Sequence, residues 1–388
     1  MASGRIALAT AAALLLALAP AVLAQPEGLK IGVVHGPLGD SSGVALAVST
    51  VNGAMMAAND RGYKIALKNV EGGCGNVSEV VTDLVKTHKV AAIIGTFCSG
   101  ALIAAGDTIA ALKVPVITTF SGAKGVAQLG PYVHRTTIVG DAPQIALMKP
   151  AAQEYKKVAF IYDDQLISTD FYAVAIKVFE ENGGTATISI QIKLDGTIDE
   201  YKAAVKEALD SKPDAVYVMT TSAFPDVAMT EILKAIRAED PAFPILAGQN
   251  LNPGVVEAAK VTDADGTVTA PLIAGIWTSS DLPFPKADAR YKEAFGINIL
   301  PSLNGGNQGQ TYDAVHAIIT AALELGWKNA TPGKLNAKMS SLSFSFKRYS
   351  GLKGKFDRNG DLIGDQALWV YGINGEMTPA PAPIGGRR

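Results

Sequence analysis

The sequence predicts an α/β protein of two doubly wound, Rossmann-like lobes, each a parallel sheet with helices on both faces. Short runs rich in β-branched residues alternate with longer amphipathic runs, and this alternation occurs twice along the chain. The short runs are apolar on both faces, which is typical of strands in a parallel sheet that helices cover on each side. The length of 388 residues allows two or three domains, and 48% hydrophobic residues supply their cores.

The first lobe is predicted to begin near residue 29. Its strands are expected at 30–34, 64–67, 91–95, 114–119 and 132–136. Between them, apolar residues recur at helical spacing at 44–59, 78–87 and 101–112.

The second lobe repeats the pattern, with strands expected at 158–162, 186–192, 215–220 and 244–247 and helices at 171–182, 201–209 and 225–237. The C-terminal third adds a strand at 272–277 and helices at 285–295 and 308–325. Near the end, segments 353–356 and 367–372 flank Asn359-Gly360, a dipeptide suited to a tight hairpin turn. The Pro- and Gly-rich residues 376–388 are predicted to form a disordered tail.

Residues 1–24 have the pattern of a secretory signal peptide. Arg5 precedes the apolar stretch 6–18, and small residues lead to a cleavage site after Ala24. The apolar stretch is too short to span a bilayer comfortably, so we expect an exported protein; an uncleaved N-terminal anchor is the alternative.

Charge and motifs exclude several function classes. The net charge of −2 supplies no electrostatic footprint for nucleic acid. The chain contains no P-loop, no GxSxG nucleophile elbow and no HExxH pair, and its four histidines lack ligand spacing. We therefore expect no cofactor, no metal and no enzymatic activity.

One segment is similar to the start of a calcium loop, at Asp357, Asn359 and Asp361. However, Leu362 replaces the glycine that such a loop requires, and Leu368 replaces the bidentate glutamate. The segment is therefore interpreted as a solvated hairpin turn.

Cys74 and Cys98 are the only cysteines. An oxidising compartment lets such a pair close, so we predict a disulfide that stabilises the fold by roughly 3–3.5 kcal/mol for a loop of about 25 residues. The alternative is a catalytic thiol at Cys98.

Ligands of open α/β sheets bind outside the carboxyl ends of the strands. Phe97 and Ser99 follow the third predicted strand, and Ser99 is expected to be an N-cap that favours a ligand carboxylate. Ala123 and Lys124 follow the fourth strand in a turn that offers backbone groups to a ligand.

Three further candidates follow later strands. Asp141 lies in a run without other charges, where it is placed to pair with a ligand ammonium or to cap the helix that begins near Pro143. Phe224 and Gln249 follow two strands of the second lobe. Polar and aromatic groups from both lobes thus recur at one edge, as a cleft between the lobes requires.

Six segments resemble type I periplasmic solute-binding proteins of the leucine/isoleucine/valine-binding class, which serve ABC importers. In chain order they read LKIGVVHGPLGDSSG, NGA at 52–54, IIGTFCSGA, ITTFSGA, RTTIVGDAPQ and GLKGKFDRNGDL. The resemblance covers about residues 28–375. It implies a Venus-flytrap shape, with two lobes joined by three crossover strands and closure around the ligand.

With this resemblance, lobe 1 is expected at 28–141 plus 276–345 and lobe 2 at 142–275 plus 346–375. The resemblance implies that Ser99 binds the ligand carboxylate with backbone N–H groups near Ala123 and Lys124, and that Asp141 pairs with an α-ammonium. Cys74 and Cys98 match the disulfide found in members of the class.

Three positions depart from the family pattern. Gln249 stands where amino-acid binders have a second acid, Ile167 and Ser168 replace a Tyr-Gly pair, and Leu46 replaces an aromatic residue in the first loop. The resemblance therefore supports recognition of a carboxylate more strongly than recognition of an α-amino acid.

The leading hypothesis is a periplasmic component of an ABC transporter that captures a small carboxylate, foremost a branched-chain amino acid, and delivers it to the inner-membrane permease. The alternatives are a binder of a carboxylate or amide without an α-amine, such as an aromatic acid or short-chain amide, and a ligand sensor for a membrane receptor. A hydrolase that uses Ser99 or Cys98 is a third class.

Overall fold

The computed structural model describes residues 29–36, 41–61, 66–137, 141–221, 227–240, 243–248, 255, 261–262, 268–269, 276–281, 285–296, 307–363, 366–371 and 377–379. The predicted signal peptide lies outside these residues. Within them, no helix is both long enough and apolar enough to cross a membrane.

The first sheet has five strands, β1 (Lys30–His35), β2 (Ala66–Glu71), β3 (Ala92–Gly95), β4 (Val116–Thr118) and β5 (Val133–Arg135). All neighbours are parallel, in the order β2-β1-β3-β4-β5. All four residues of β3 are buried, because helices cover both faces of the sheet. The strand order reverses between β1 and β3, which makes the carboxyl ends of these two strands the switch point where ligands of such folds bind.

Four helices follow these strands, α1 (Ser41–Asp60), α2 (Val77–Lys86), α3 (Ser99–Ala104) and α4 (Gly106–Leu112). In α2 the buried residues Val77, Val81 and Leu84 recur at helical spacing and form the face that packs on the sheet. The single helix predicted at 101–112 is two helices. The break lies at Ala105, the C-cap of α3, which directly precedes Gly106, the first residue of α4.

The second lobe continues the alternation with α5 (Asp141–Glu154), β6 (Lys157–Asp163), α6 (Leu166–Glu181), β7 (Thr185–Ile192), α7 (Ile198–Asp210), β8 (Ala215–Met219), α8 (Val227–Glu239) and β9 (Ile245–Ala247). A short antiparallel pair, β10 (Val261–Thr262) and β11 (Val268–Thr269), precedes β12 (Ile276–Asp281). Helix α7 begins at a capping box, in which Thr197 and Glu200 satisfy each other's backbone N–H groups.

The chain then returns to the first lobe with α9 (Pro285–Phe295), α10 (Asn307–Leu325), α11 (Pro332–Met339), β13 (Phe346–Lys347) and β14 (Lys353–Gly354). Helix α10 packs along α1, and both join one core with β1, β3 and the aromatic residues Phe346, Tyr349 and Phe356. Finally, β15 (Gln366–Tyr371) and β16 (Met377–Pro379) extend the second sheet, whose order is β16-β15-β12-β9-β8-β6-β7.

The fold class predicted from the sequence is confirmed, with β15 and β16 as antiparallel additions to the second sheet. Two of the predicted lobe boundaries are wrong. Residues 276–281, expected in lobe 1, pair with β9 in the second sheet, and residues 346–362, expected in lobe 2, pack with the first core. Residues 377–379, expected in a disordered tail, form β16 because β15 supplies them with ladder partners.

Candidate ligand-binding site

The segment after β3 lies at the switch point of the first sheet. Cys98 is the N-cap of α3 and Ser99 is its first residue, so the N-cap role predicted for Ser99 is wrong. The Ser99 side chain is free of a capping bond and its Oγ instead accepts a hydrogen bond from the N–H of Ala123, at 3.3 Å. Only 8% of Ser99 is exposed, so its hydroxyl faces a nearly closed space.

The disulfide between Cys74 and Cys98 confirms the predicted pairing. The backbone N–H of Cys98 also donates to the carbonyl of Gly73, at 2.9 Å, so the segment before α2 is fastened twice to the start of α3. Because the sulfur of Cys98 is bonded, the alternative of a catalytic thiol there is wrong.

The turn after β4, residues 119–124, is here called the binding turn. The hydroxyl of Thr118 accepts the N–H of Ser121 at 3.1 Å, which closes the turn, and Ser121 Oγ donates to the carbonyl of Phe97 at 2.5 Å. The bond from Ala123 to Ser99 is a second connection between the segments after β3 and β4. The two predicted carboxylate-binding segments therefore form one hydrogen-bonded unit.

The peptide group between Ala123 and Lys124 is held on both sides. Its carbonyl oxygen accepts a hydrogen bond from Arg135 Nη1 at 2.8 Å, and its N–H donates to Asp170 Oδ2 at 2.9 Å. Asp170 lies on α6 in the second lobe, so this N–H contacts a carboxylate from across the lobe boundary. Sequence reasoning did not single out Asp170, because an acid one turn into an amphipathic helix is ordinarily a solvated residue.

Asp141, the predicted partner of a ligand ammonium, is the first residue of α5 and already has a cation beside it. Lys124 Nζ lies 3.3 Å from Asp141 Oδ1, and about half of each side chain is exposed. The two side chains therefore form a neutral pair at the rim of the binding turn.

The remaining predicted contacts divide into two groups. The Phe97 ring is completely buried in the first lobe with Leu102 and Ile109, and its backbone carbonyl accepts the bond from Ser121; its contact with a ligand stays a prediction. Phe224 and Gln249 lie outside the described residues, as does the side chain of Leu46 on α1.

The second lobe contributes a buried carboxylate at the end of β6. Asp163 is fully buried and accepts hydrogen bonds from the N–H groups of Gln165, at 2.9 Å, and of Thr221, just past β8. Burial raises the pKa of Asp163, and these hydrogen bonds, with those of Ser168 and Thr221, oppose the shift. Ser168, noted above as a family departure, thus supports the junction between β6 and β8, where its Oγ lies 3.0 Å from Thr221 Oγ1.

Arg135 and Asp361 are two further site residues that the sequence analysis missed. Arg135 ends β5, is 1% exposed and forms a bidentate ion pair with Asp361. The available signal was a charged residue in a short predicted strand, together with an acid in the predicted hairpin turn. That turn is present, with Gly360 at φ +80°, but Asp361 is 6% exposed, so its interpretation as solvated is wrong for this residue.

Comparison with solved structures finds the same fold. The leucine-binding protein LivK from Thermotoga maritima is 20% identical, with a TM-score of 0.74 over 91% of this chain and 98% of its own. A solute-binding protein of an ABC transporter from R. palustris, in complex with benzoate, is 20% identical, with a TM-score of 0.73 over 91% and 95%. LivJ from Streptococcus pneumoniae, in complex with isoleucine, is 21% identical, with a TM-score of 0.72 over 90% and 98%.

At these identities the structural likeness demonstrates the fold alone. No curated protein sequence matches the chain significantly. The family model described as periplasmic binding protein matches residues 28–377, which is nearly the whole of the two lobes. The chain therefore belongs to the periplasmic binding protein family.

Proposed function

We propose that the protein is the solute-binding component of an ABC importer. Residues 1–24 serve as its signal peptide for export, and the mature protein captures a small carboxylate and delivers it to a membrane permease. One observation supports a carboxylate as the ligand. The N–H of Lys124 donates to a carboxylate oxygen within the protein, Asp170 Oδ2, at 2.9 Å. The preceding N–H, that of Ala123, donates to Ser99 Oγ at 3.3 Å, and the Ser99 hydroxyl is suited to the second oxygen of a ligand carboxylate.

The charge at the binding turn favours a carboxylate without an α-ammonium. An ammonium needs an anion that lacks a partner, and the preference for an amino acid rested on Asp141 having none. Lys124 Nζ lies 3.3 Å from Asp141 Oδ1, so a ligand ammonium placed there would compete with an existing cation, although both side chains are half exposed and Oδ1 accepts no hydrogen bond from the residues that the structure describes. Fold relatives that hold benzoate and isoleucine support both ligand classes for this fold.

The apolar surroundings suit a ring or a short aliphatic chain. Phe120, in the binding turn, is partly exposed, so the turn itself carries an aromatic side chain that is accessible to a ligand. A Cβ atom at Gly122 would lie 3.2 Å from Ile167 Cδ1 and 3.3 Å from Phe171 Cζ, so the binding turn and α6 approach closely. We therefore favour a compact acid such as a benzoate.

Titration calorimetry of the chain from residue 25 onward tests this proposal, with benzoate, 4-hydroxybenzoate, L-leucine and L-isoleucine as probes. Ser99→Ala is expected to weaken binding of any carboxylate by about 1.5–3 kcal/mol, since it removes a hydrogen bond to a charged group. Unchanged affinity in this variant would contradict the carboxylate site.

Asp141→Asn separates the two ligand classes. For an acid without an amine, the affinity should stay the same or rise, because the change frees Lys124 to attract the ligand. For an amino acid, it should fall by about 2–5 kcal/mol through loss of a charge pair. The matched control is Asp210→Asn, which removes an exposed carboxylate paired with Lys206 on α7 and should leave binding unchanged.

A further inference from the structure

We propose that Arg135, held by Asp361, is a positioning residue for the binding turn. The ion pair sets the direction in which the Lys124 N–H points, and it joins this donor to the segment through which the chain leaves the first lobe. The ligand-related half of the proposal rests on the proposed function, whereas the structural half does not.

The guanidinium of Arg135 divides its donors between two segments. Nε and Nη2 donate to the two carboxylate oxygens of Asp361, at 2.5 and 2.8 Å. Nη1 donates to the carbonyl of Ala123, at 2.8 Å. Because the guanidinium is a rigid planar fork, two bonds to Asp361 fix the direction of the third.

Because the peptide bond is planar, fixing the carbonyl of Ala123 also fixes the direction of the Lys124 N–H. In a trans peptide the carbonyl and the following N–H point in opposite directions within one plane. Since Arg135 holds the carbonyl of Ala123, the N–H of Lys124 is directed away from the core, where Asp170 accepts it at 2.9 Å. Rotation of this peptide would remove the donor from the site.

Asp361 is itself fixed to β5 by backbone bonds on both sides. The N–H of Arg135 donates to the carbonyl of Gly360 at 2.8 Å, and the N–H of Leu362 donates to the carbonyl of Arg135 at 2.9 Å. Asp357 Oδ1 accepts the N–H of Asp361 at 2.9 Å. This arrangement is rigid enough for Asp361 to act as a reference point for Arg135.

The position of Asp361 along the chain adds a second consequence. The segment that begins with Leu362 leads directly to Gln366, where β15 begins in the second sheet. The ion pair therefore joins the binding turn to the last connection between the lobes.

The test is hydrogen exchange at the Ala123 and Lys124 amides, followed by NMR on the ligand-free chain from residue 25 onward. Arg135→Lys keeps the charge for Asp361 but offers a single point of donation in place of the fork. The control is Arg348→Lys, because Arg348 forms a buried ion pair with Asp313 in the same lobe, at 2.9 Å. We expect exchange at the two amides to accelerate at least tenfold in Arg135→Lys and less than threefold in the control.

Two results would overturn the positioning role: unchanged exchange in Arg135→Lys, or equal acceleration in both variants. If Arg135→Lys does not fold, Asp361→Asn keeps the shape of the pair, removes its charge and is judged by the same criterion.

Affinity for benzoate and L-isoleucine, measured on the same variants, tests the ligand-related half. We expect at least a tenfold loss in Arg135→Lys and less than a threefold loss in Arg348→Lys for the probe that binds. Equal losses would overturn the positioning role. If neither probe binds the unaltered protein, the proposed ligand classes fail, while the exchange result still decides the role of Arg135.

Discussion

Two buried arginine–aspartate pairs hold the two ends of the C-terminal hairpin, residues 346–362. The hairpin supplies the arginine of one pair and the aspartate of the other. At the first end the hairpin supplies Arg348, whose Nε lies 2.9 Å from Asp313 on α10. At the second end the hairpin supplies Asp361, and Arg135 comes from β5. The hairpin therefore cannot be exchanged end for end on this lobe without placing like charges together.

The remaining hydrogen bonds of each pair distinguish the two ends. Asp313 uses its second oxygen to accept the N–H of Tyr349, the residue next to Arg348, so that pair joins α10 to the hairpin. Arg135 uses its remaining nitrogen on Ala123, so the other pair joins β5, the hairpin and the binding turn. The Arg348–Asp313 pair thus connects neighbouring parts of one lobe, whereas the Arg135–Asp361 pair also contacts the binding turn.

The two ion pairs are expected to differ most in how much stability is lost when the carboxylate of each pair is removed. Asp361→Ala leaves Arg135, 1% exposed, without its charge partner, so we expect a loss of about 3–5 kcal/mol in the free energy of unfolding. Asp313→Ala should cost about 1–3 kcal/mol, because the Arg348 side chain is 11% exposed and regains water more easily. Urea unfolding followed by circular dichroism measures both; equal losses would contradict the comparison.

A smaller difference is expected between two glycines of the hairpin. Gly360 has φ +80°, and a Cβ atom there would lie 2.5 Å from the carbonyl oxygen of Val133. Gly351 has φ +84° but no atom within 4 Å of such a Cβ. We expect Gly360→Ala to cost about 2–4 kcal/mol and Gly351→Ala about 1–2 kcal/mol, since only the first combines left-handed strain with a steric clash.

Thermal unfolding of the two glycine variants checks this order. Gly360→Ala should also accelerate amide exchange at Lys124, because it displaces Asp361 from β5, whereas Gly351→Ala should not. A larger cost for Gly351→Ala would show that contact with β5 is not what holds this end of the hairpin.

Substitution of His316, one turn beyond Asp313 on α10, is expected to have the smallest effect on stability at neutral pH. Its Nε2 accepts a hydrogen bond from Arg61 at 2.8 Å, and burial together with the Arg61 charge lowers its pKa from 6.5 to about 4. The neutral ring contributes its full stability above pH 6.5. This contribution is lost as the pH falls from 6.5 towards 4, because His316 binds a proton in the unfolded chain at a higher pH than in the folded protein.

His316→Gln keeps an acceptor for Arg61 and removes the titration. Unfolding free energies measured between pH 7 and 4 should therefore fall less steeply in His316→Gln than in the unaltered protein. Parallel profiles would contradict the lowered pKa. Exchange at the Lys124 amide should not change with this substitution, because no contact described here joins His316 to the binding turn.

The proximity of Ser99 to Ala123 could be predicted from the sequence because it follows from a general rule. In a parallel sheet the carboxyl ends of adjacent strands lie at one edge, so residues that follow β3 and β4 must lie near each other. The alternation of apolar strands and amphipathic helices, which predicts the fold class, is equally local. The N-cap assignment of Ser99 failed by one residue, since helix ends have no sharp signal in this small-residue segment.

The contacts between distant segments could not be predicted in this way. Arg135 and Asp361 are 226 residues apart, and no periodicity or spacing relates them. The lobe boundaries failed for a similar reason, because nothing in the residues of β12 indicates its sheet and only its ladder with β9 assigns it to the second sheet. The partner of Asp141 was likewise visible only once the binding turn was placed beside α5.

Under the proposed function, the hydrogen bond between Lys124 and Asp170 has a consequence for the affinity of the site for a carboxylate ligand. A carboxylate that takes the Lys124 N–H must displace a tethered competitor, so one charge-assisted bond is exchanged for another and little enthalpy is gained at that donor. The observed dissociation constant then equals the intrinsic constant divided by the fraction of molecules in which Asp170 has released the N–H. Discrimination among acids must consequently come from the rest of the ligand, and the strength of the internal competitor sets the concentration range in which the protein responds.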